Sequence, residues 1–427
     1  MSTADDFLNN HRLRASDLDM DDLVTLFTSE MKNGLKGKES SLRMIPTYIE
    51  AENDFIREKP VLAIDAGGTN FRAALISFTA EGKIATGKIY NFRMPGLDKE
   101  ISAEEFFRTI AGYIKPLAEK TERIGFCFSY PTEILPDRDG RLLQFCKEVQ
   151  APGVVGQMIG KNLLETLGTP DKQIVLLNDT VATLLAGKSA SVNKTYDSFI
   201  GYILGTGTNT CYIENNRNIL KNKNLNQERS QIINIESGNF GKAPRTDLDL
   251  LFDSKTIDPG RYTFEKMFSG GYFGGLCLCV LKAAAAEGVF SGKAATMISR
   301  LTDLSSNDAN AFVSNEQDSD NILKKCFSGR KDTEKCALII NSIVDRAAKL
   351  VAANLASVML KTGKGTSHDR PVLITIEGTV FYRLHNFKSC FENYFRNYLR
   401  GDKLRFCEFT EVGQSSLIGA ALAALIS

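Results

Sequence analysis

Residues Val61 to Phe78, VLAIDAGGTNFRAALISF, leave few folds open to this chain. Two apolar runs are joined by an acid, two glycines and a threonine, the pattern of a buried strand, a tight turn and a second strand. Gly67 and Gly68 let backbone amides come close to a phosphate, because no side chain bars the approach. Thr69 and Asn70 add polar groups beside them, and Arg72 a positive charge. Asp65, at the end of the first run, is placed to hold a magnesium ion through water, since that ion gives up its hydration reluctantly.

The same device returns at Phe199 to Ile213, FIGYILGTGTNTCYI, where two apolar runs flank Gly205-Thr206-Gly207-Thr208. An internal echo of this kind predicts two related domains, each turning one glycine loop toward a shared cleft. Neither turn has the GxxxxGK[ST] spacing of a P-loop or the GxGxxG of a dinucleotide site, so those two nucleotide folds are disfavoured.

Around the two hairpins, strand and helix patterns alternate. Ser16 is a candidate N-cap for a helix carrying Leu23, Phe27 and Met31, with Gly34 and Gly37 interrupting the pattern. Lys88 to Met94 reads as a third strand beside the first hairpin, and Ser102 with Glu105 as a capping box. A short strand from Ile124 ends at Ser129-Tyr130-Pro131, and a helix spans about Val154 to Leu167. The strand Gln173 to Leu177 stops at Asn178-Asp179-Thr180, where a new helix begins. Residues 214–231 read as an exposed connection, and Glu265 as the start of a helix reaching about Phe290. A long helix with one apolar face covers Thr333 to Thr362, strands follow at Arg370–Ile376 and Leu404–Phe409, and the small residues from Ser415 to Ala421 permit close helix packing. The class is α/β with mixed sheets.

At 427 residues the chain exceeds one compact core. With 52 basic against 51 acidic side chains it lacks the electrostatic footprint of a nucleic-acid or anionic-membrane binder. The N-terminal stretch carries acids where a signal peptide needs an apolar core, and no apolar run is long enough to span a bilayer, so a cytoplasmic location is expected. Nine cysteines, an odd number in apolar contexts, favour reduced core thiols over a disulfide framework. Cys277 and Cys279 suit a buried helix better than a zinc knuckle. None of the three histidines adjoins a glycine turn, so a carboxylate is the expected proton-transfer group.

Taken together, Asp65-Ala-Gly-Gly-Thr-Asn-Phe-Arg72, Asn178-Asp179-Thr180, Gly205-Thr-Gly-Thr-Asn209 and Glu377-Gly-Thr379 resemble the sugar kinases of the actin and Hsp70-like ATPase superfamily, specifically the hexokinases. Met44-Ile-Pro-Thr-Tyr48, Phe128-Ser129-Tyr130-Pro131, Asn234-Ile235-Glu236 and Phe264-Glu265-Lys266-Met267 are similar to hexokinase segments in the same order. The resemblance implies a two-domain actin-like (ribonuclease H-like) fold with a deep interdomain cleft. Its expected small domain is 60–198 plus about 412–427, and its large domain 1–59 plus 199–411. It also implies transfer of phosphate from ATP, with magnesium, to the 6-hydroxyl of a hexose, glucose first among them. Asp179 would be the general base. Ser129, Lys147, Asn178, Asp179, Asn209, Glu236 and Glu265 would bind the sugar. Asp65, Gly67, Gly68, Thr69, Asn70, Arg72, Gly205, Thr206, Gly207, Thr208, Gly378, Thr379 and Ser415 would hold the nucleotide, and Asp65 the metal. Glucose binding is expected to close the domains and exclude water.

The chain departs from the family at Cys146, where a threonine is usual, at Ser237, where a large aromatic is common, and at Glu377, usually aspartate. The turn Gly413 to Gly419 reads as longer than the family's Gly-Ser-Gly-x-Gly. A ROK-type sugar kinase shares the glycine turns but carries a Cys/His zinc motif that Cys277-Leu-Cys279 does not reproduce. A catalytically silent sugar sensor would have lost the base or a turn, and both are present. A chaperone-type ATPase would be expected to carry a substrate-binding domain after Ser427.

Overall fold

The computed structural model describes residues 3–51, 53–145, 149–191, 194–314 and 320–426. The chain opens with α1 (Ala4–Asn10) and α2 (Met20–Leu35), then β1 (Ile45–Pro46). The first hairpin is β2 (Val61–Gly67) and β3 (Asn70–Phe78), followed by β4 (Ile84–Thr86), β5 (Tyr90–Arg93), α3 (Ala103–Ala118) and β6 (Arg123–Phe128). A small two-stranded ribbon, β7 (Thr132–Ile134) and β8 (Gly140–Leu142), precedes α4 (Ile159–Leu167), β9 (Gln173–Leu177) and α5 (Asp179–Ala190). The second hairpin is β10 (Ser198–Leu204) and β11 (Thr208–Asn215), with β12 (Ser230–Asn234) beside it. Then come α6 (Asp247–Asp253), α7 (Phe273–Ala286), α8 (Gly292–Arg300), α9 (Ser306–Val313) and the 33-residue α10 (Arg330–Thr362). The rest is β13 (Val372–Glu377), α11 (Thr379–Arg383), α12 (Phe387–Tyr398), β14 (Cys407–Thr410) and α13 (Ser415–Leu425).

These elements form two six-stranded mixed sheets with one shared plan. In the first, β2 is antiparallel to β3 and parallel to β6, and β6 is parallel to β9. In the second, β10 is antiparallel to β11 and parallel to β13, and β13 is parallel to β14. The repeated motif is therefore a repeated topology, hairpin first and parallel strands after it. Both hairpins bring their glycine turns to the same cleft.

Between the sheets lies an apolar layer built from α5 and α13 together with Val61, Ala63, Cys127, Cys211 and Ile232. Glycines make this layer possible. A Cβ on Gly419 would stand 2.0 Å from the carbonyl oxygen of Ala182, and one on Gly125 1.8 Å from that of Ala420, so backbones meet where any side chain would collide. The outer face of the first sheet is covered by α3 and α4, and that of the second by α2, α7, α10 and α12.

Several sequence expectations are corrected. Asp19, not Ser16, caps α2, accepting from the amides of Asp21 and Asp22; Ser16 lies in a 3-10 turn at Ala15–Asp17. Ser102 accepts from the Glu105 amide, but no reciprocal bond from Glu105 completes a box. The helix expected from Val154 begins at Ile159, after a 3-10 turn at Pro152–Val154. Residues 214–231 are not wholly an exposed connection: Glu214 is buried against Lys361 and accepts from the Tyr212 hydroxyl at 2.5 Å. No helix among the described residues is long and apolar enough to cross a membrane.

Candidate active site

A cleft of about 1020 Å³ runs where the C-terminal ends of β2, β6, β9, β10 and β13 converge. At its floor β9 hands over to α5. Asn178 caps that helix, accepting from the Thr180 amide at 2.9 Å, and Asp179 is its first residue. Asp179 also accepts from the Thr180 amide at 2.7 Å. Burial pushes its carboxyl up to about 6; the Thr180 amide opposes this, while Glu377, Asp65 and Glu236 add to it. A carboxylate tuned toward neutrality at a helix start is a competent base at physiological pH.

The first glycine turn joins β2 to β3, with Gly67 paired to Asn70 and Gly68 in the left-handed region at φ 60°. The Tyr130 hydroxyl donates to the Gly68 carbonyl at 2.9 Å, and the Ser129 amide to Ala66 at 3.0 Å, tying the Ser129 loop to the turn. Thr69 lies open to the cleft.

The second turn is fixed from behind. Gly270 and Gly271 donate their amides to the carbonyls of Gly205 and Thr206, each at 2.8 Å. Those contacts replace the continuous helix expected from Glu265: a 3-10 turn at Glu265–Met267 is followed by an irregular segment, and α7 starts only at Phe273. Glu265 accepts from the Thr208 amide at 2.9 Å, clamping the turn's far end. Gly378, at φ 120°, sits so close to Leu204 that a Cβ would come within 2.2 Å of its carbonyl oxygen.

A chain of amides lines the wall between the turns and Glu236. Asn209 accepts from the amide of Thr210 at 2.7 Å, which fixes which way its side chain points. Its amino group then donates to Asn234 at 2.7 Å, and Asn234 donates to Glu236 at 2.8 Å. Burial raises the Glu236 carboxyl, and the bond from Asn234 works against that shift.

A family model described as hexokinase matches residues 199–426, and a second of the same description matches residues 4–189. The chain belongs to the hexokinase family. Hexokinase-7 of Oryza sativa subsp. japonica is 27% identical over 435 residues, covering 95% of this chain and 93% of its own length. A glucokinase of Aspergillus niger is 29% identical over 472 residues with the same coverage, 95% and 93%. The hexokinase of Schistosoma mansoni, solved with glucose, superposes with a TM-score of 0.78 at 22% identity, over 99% of this chain and 100% of that one. The actin-like fold of the hexokinases is thus the fold of this chain. Cys277 and Cys279 are buried within α7, and no cluster of metal-binding side chains occurs among the described residues.

Within this hexokinase, most residues singled out from the sequence line the one cleft: Asp65, Gly67, Gly68, Thr69, Ser129, Asn178, Asp179, the run Gly205 to Asn209, Glu236, Glu265, Gly378 and Thr379. Three others stand apart. Arg72 grips Asp65, its Nε at 2.8 Å and Nη2 at 2.5 Å from the same oxygen, and donates to Gln414 at 2.9 Å. Asn70 is exposed beyond the turn and does not line the cleft. Ser415 is buried with its hydroxyl on Glu377, while its neighbour Ser416 reaches the cleft wall. Lys147 and Cys146 lie outside the described residues. Sequence reasoning missed Asn234 and Tyr130 as supports of the site, although both stand inside segments that carried the family likeness. Ser237 does not line the cleft: it is fully buried, its hydroxyl 3.1 Å from that of Thr210, which accepts from Asn354 at 2.8 Å.

Proposed function

We propose that this hexokinase transfers the γ-phosphoryl group of ATP to the 6-hydroxyl of glucose or a closely related hexose, with Asp179 as general base. The observation that carries this reading is the Asp179 carboxylate on the cleft floor, at a helix start, in the cleft that both glycine turns line. The 6-hydroxyl donates its proton to Asp179 as its oxygen attacks the γ-phosphorus, and the bond from that phosphorus to the β–γ bridging oxygen breaks, leaving ADP.

The hexose would lie among Ser129, Asn178, Asn209, Glu236 and Glu265, with Lys147 from the facing loop. A buried wall of donors and acceptors rejects an analogue lacking a hydroxyl, because its own groups are then left unpaired. Asn234 earns no contact of its own in this reading; it orients Asn209 and Glu236. The triphosphate would lie along the amides of Gly67, Gly68, Thr69 and Gly205 to Thr208, with Gly378 and Thr379 toward the nucleoside. Both Arg72 contacts fall on one oxygen of Asp65, which leaves its other oxygen to hold a hydrated magnesium ion, an oxygen ligand of the right hardness. Bound there, magnesium would supply neutralisation of phosphate charge. The lobes 60–198 plus 412–427 and 1–59 plus 199–411 would close over the hexose and exclude water.

Purified protein given glucose and Mg-ATP is expected to form glucose 6-phosphate, and Asp179→Ala to abolish this with an unchanged circular dichroism spectrum. Equal turnover by the variant would remove the base assignment; no turnover of any hexose in a panel by the wild type would remove the function.

A further inference from the structure

A second concavity, about 690 Å³, lies away from the cleft, between α12 and the chain from Leu404 to Phe409. Among the described residues β14 is the last strand of its sheet and pairs with β13 alone, so the concavity runs beside the edge of that sheet. Its floor is apolar: Phe395 and Leu399 from the helix side, Phe406 and Phe409 from the strand side, with Leu404 45% exposed at the rim.

The charges above that floor do not balance. Two carboxylates face it, and each already has a cation: Glu392 pairs with Arg396 at 3.2 Å, and Glu408 with Lys194 from outside the concavity. Lys388, Arg400 and Arg405 also line it, and among the described residues none of the three makes a salt bridge. Arg405 spends one nitrogen on the carbonyl of Leu404 at 2.7 Å, while its Nε is buried with no partner at all. That N–H is closed off from solvent, so it is the outer guanidinium nitrogens of Arg400 and Arg405, not the Arg405 Nε, that an anion in the concavity would meet.

We propose that this concavity is a binding site for a small organic anion, a phosphate or carboxylate joined to a planar or apolar body. The anionic group meets the guanidinium groups of Arg400 and Arg405, whose planar forks suit phosphate and carboxylate oxygens, with Lys388 as a further point charge. The body lies on the phenylalanine floor. A volume of this size falls in the roughly 300–1,000 Å³ range of small-molecule sites, and the mixture of apolar lining with a few convergent polar groups is their usual chemistry. The site does not depend on the reading of the central cleft.

Phenyl phosphate combines both features and is the probe. Titrated calorimetrically into the full chain, it is expected to bind at one site, several-fold more tightly than inorganic phosphate. Arg400→Glu and, separately, Arg405→Met are expected to weaken it at least tenfold, with kcat/KM for the hexose unchanged in both. Binding that survives both substitutions, that glucose or ATP displaces, or that is not detected in the wild type would each overturn the proposal. So would inorganic phosphate binding as tightly as phenyl phosphate, since the floor would then contribute nothing.

Discussion

Asp179 carries two consequences that separate its charge from its place. If it is the base, as proposed, it works ionised, so with its carboxyl at about 6 the value of kcat/KM is expected to fall close to tenfold per pH unit below that point and to level off above it. A rate profile flat down to pH 4.5 would contradict this. Its effect on stability has the opposite sign. The folded-state value is raised above the ordinary carboxylate range near 3.9, so the fold binds this proton more tightly than the unfolded chain does, and stability drains away as pH rises through the interval between about 4 and 6. Asp179→Asn should therefore be inactive yet more stable than the wild type at pH 7, by up to about 3 kcal/mol, as read from urea midpoints. Asp179 stands out in the sequence because Asn178-Asp179-Thr180 resembles a hexokinase motif, at the point where the strand Gln173–Leu177 gives way to a helix. Asn234 stands inside another such segment, but it is a strand's last residue, and only the fold sets it between Asn209 and Glu236. Arg72 shows the same limit from the other side, since nothing in its spacing reveals that Asp65 and Gln414 already hold it.

At the scale of elements, the α5–α13 contact leaves no room for a side chain. The backbone of Ala182 lies where a side chain at 419 would stand, and helices that touch this closely have no room to yield. Gly419→Val is expected to cost about 3 kcal/mol or more, at the upper end for overpacked cores, and to lower the urea midpoint accordingly. A loss below about 1 kcal/mol would mean that the helices can separate freely. The strands and helices themselves were largely legible, because their apolar periodicity is strong: Gln173–Leu177 was placed to the residue. The stretch from Glu265 was misjudged for an instructive reason. Its small and apolar residues suit a helix locally, but Gly270 and Gly271 are there to press their amides against the second turn, a tertiary demand with no local sign.

For the whole molecule, the sequence implied two related halves, and the two sheets do share one plan of strand pairing; the α5–α13 layer between them was only hinted at by the small residues after Ser415. Distant segments are also pinned by charge. His11, just past α1, places one ring nitrogen 2.7 Å from Asp247 at the start of α6 and the other 2.8 Å from Glu287 at the end of α7. Burial lowers its basicity, but the bonds to Glu287 and Asp247 outweigh that and raise it. A histidine whose folded value is raised gives its full stabilisation below the unfolded value near 6.5 and loses it as pH climbs through the folded value. The stability gap between wild type and His11→Gln is therefore expected to be present at pH 6, within about 1 kcal/mol for so exposed a set of carboxylates, and to close by pH 9. A gap that widened with pH would contradict the pairing.

The placing of α13 has a bearing on how such an enzyme comes into being. Ribosomes build from the amino end, so the proposed base, the hexose-binding groups and both glycine turns are already in hand before this helix is made; of the cleft lining only Ser416 belongs to the helix itself. Yet its side chains are almost wholly buried in the layer between the two sheets, against β2, β6 and α5. A nascent chain would own the reactive parts without the keel that sets them opposite one another, and so would be spared from squandering ATP while still unfinished.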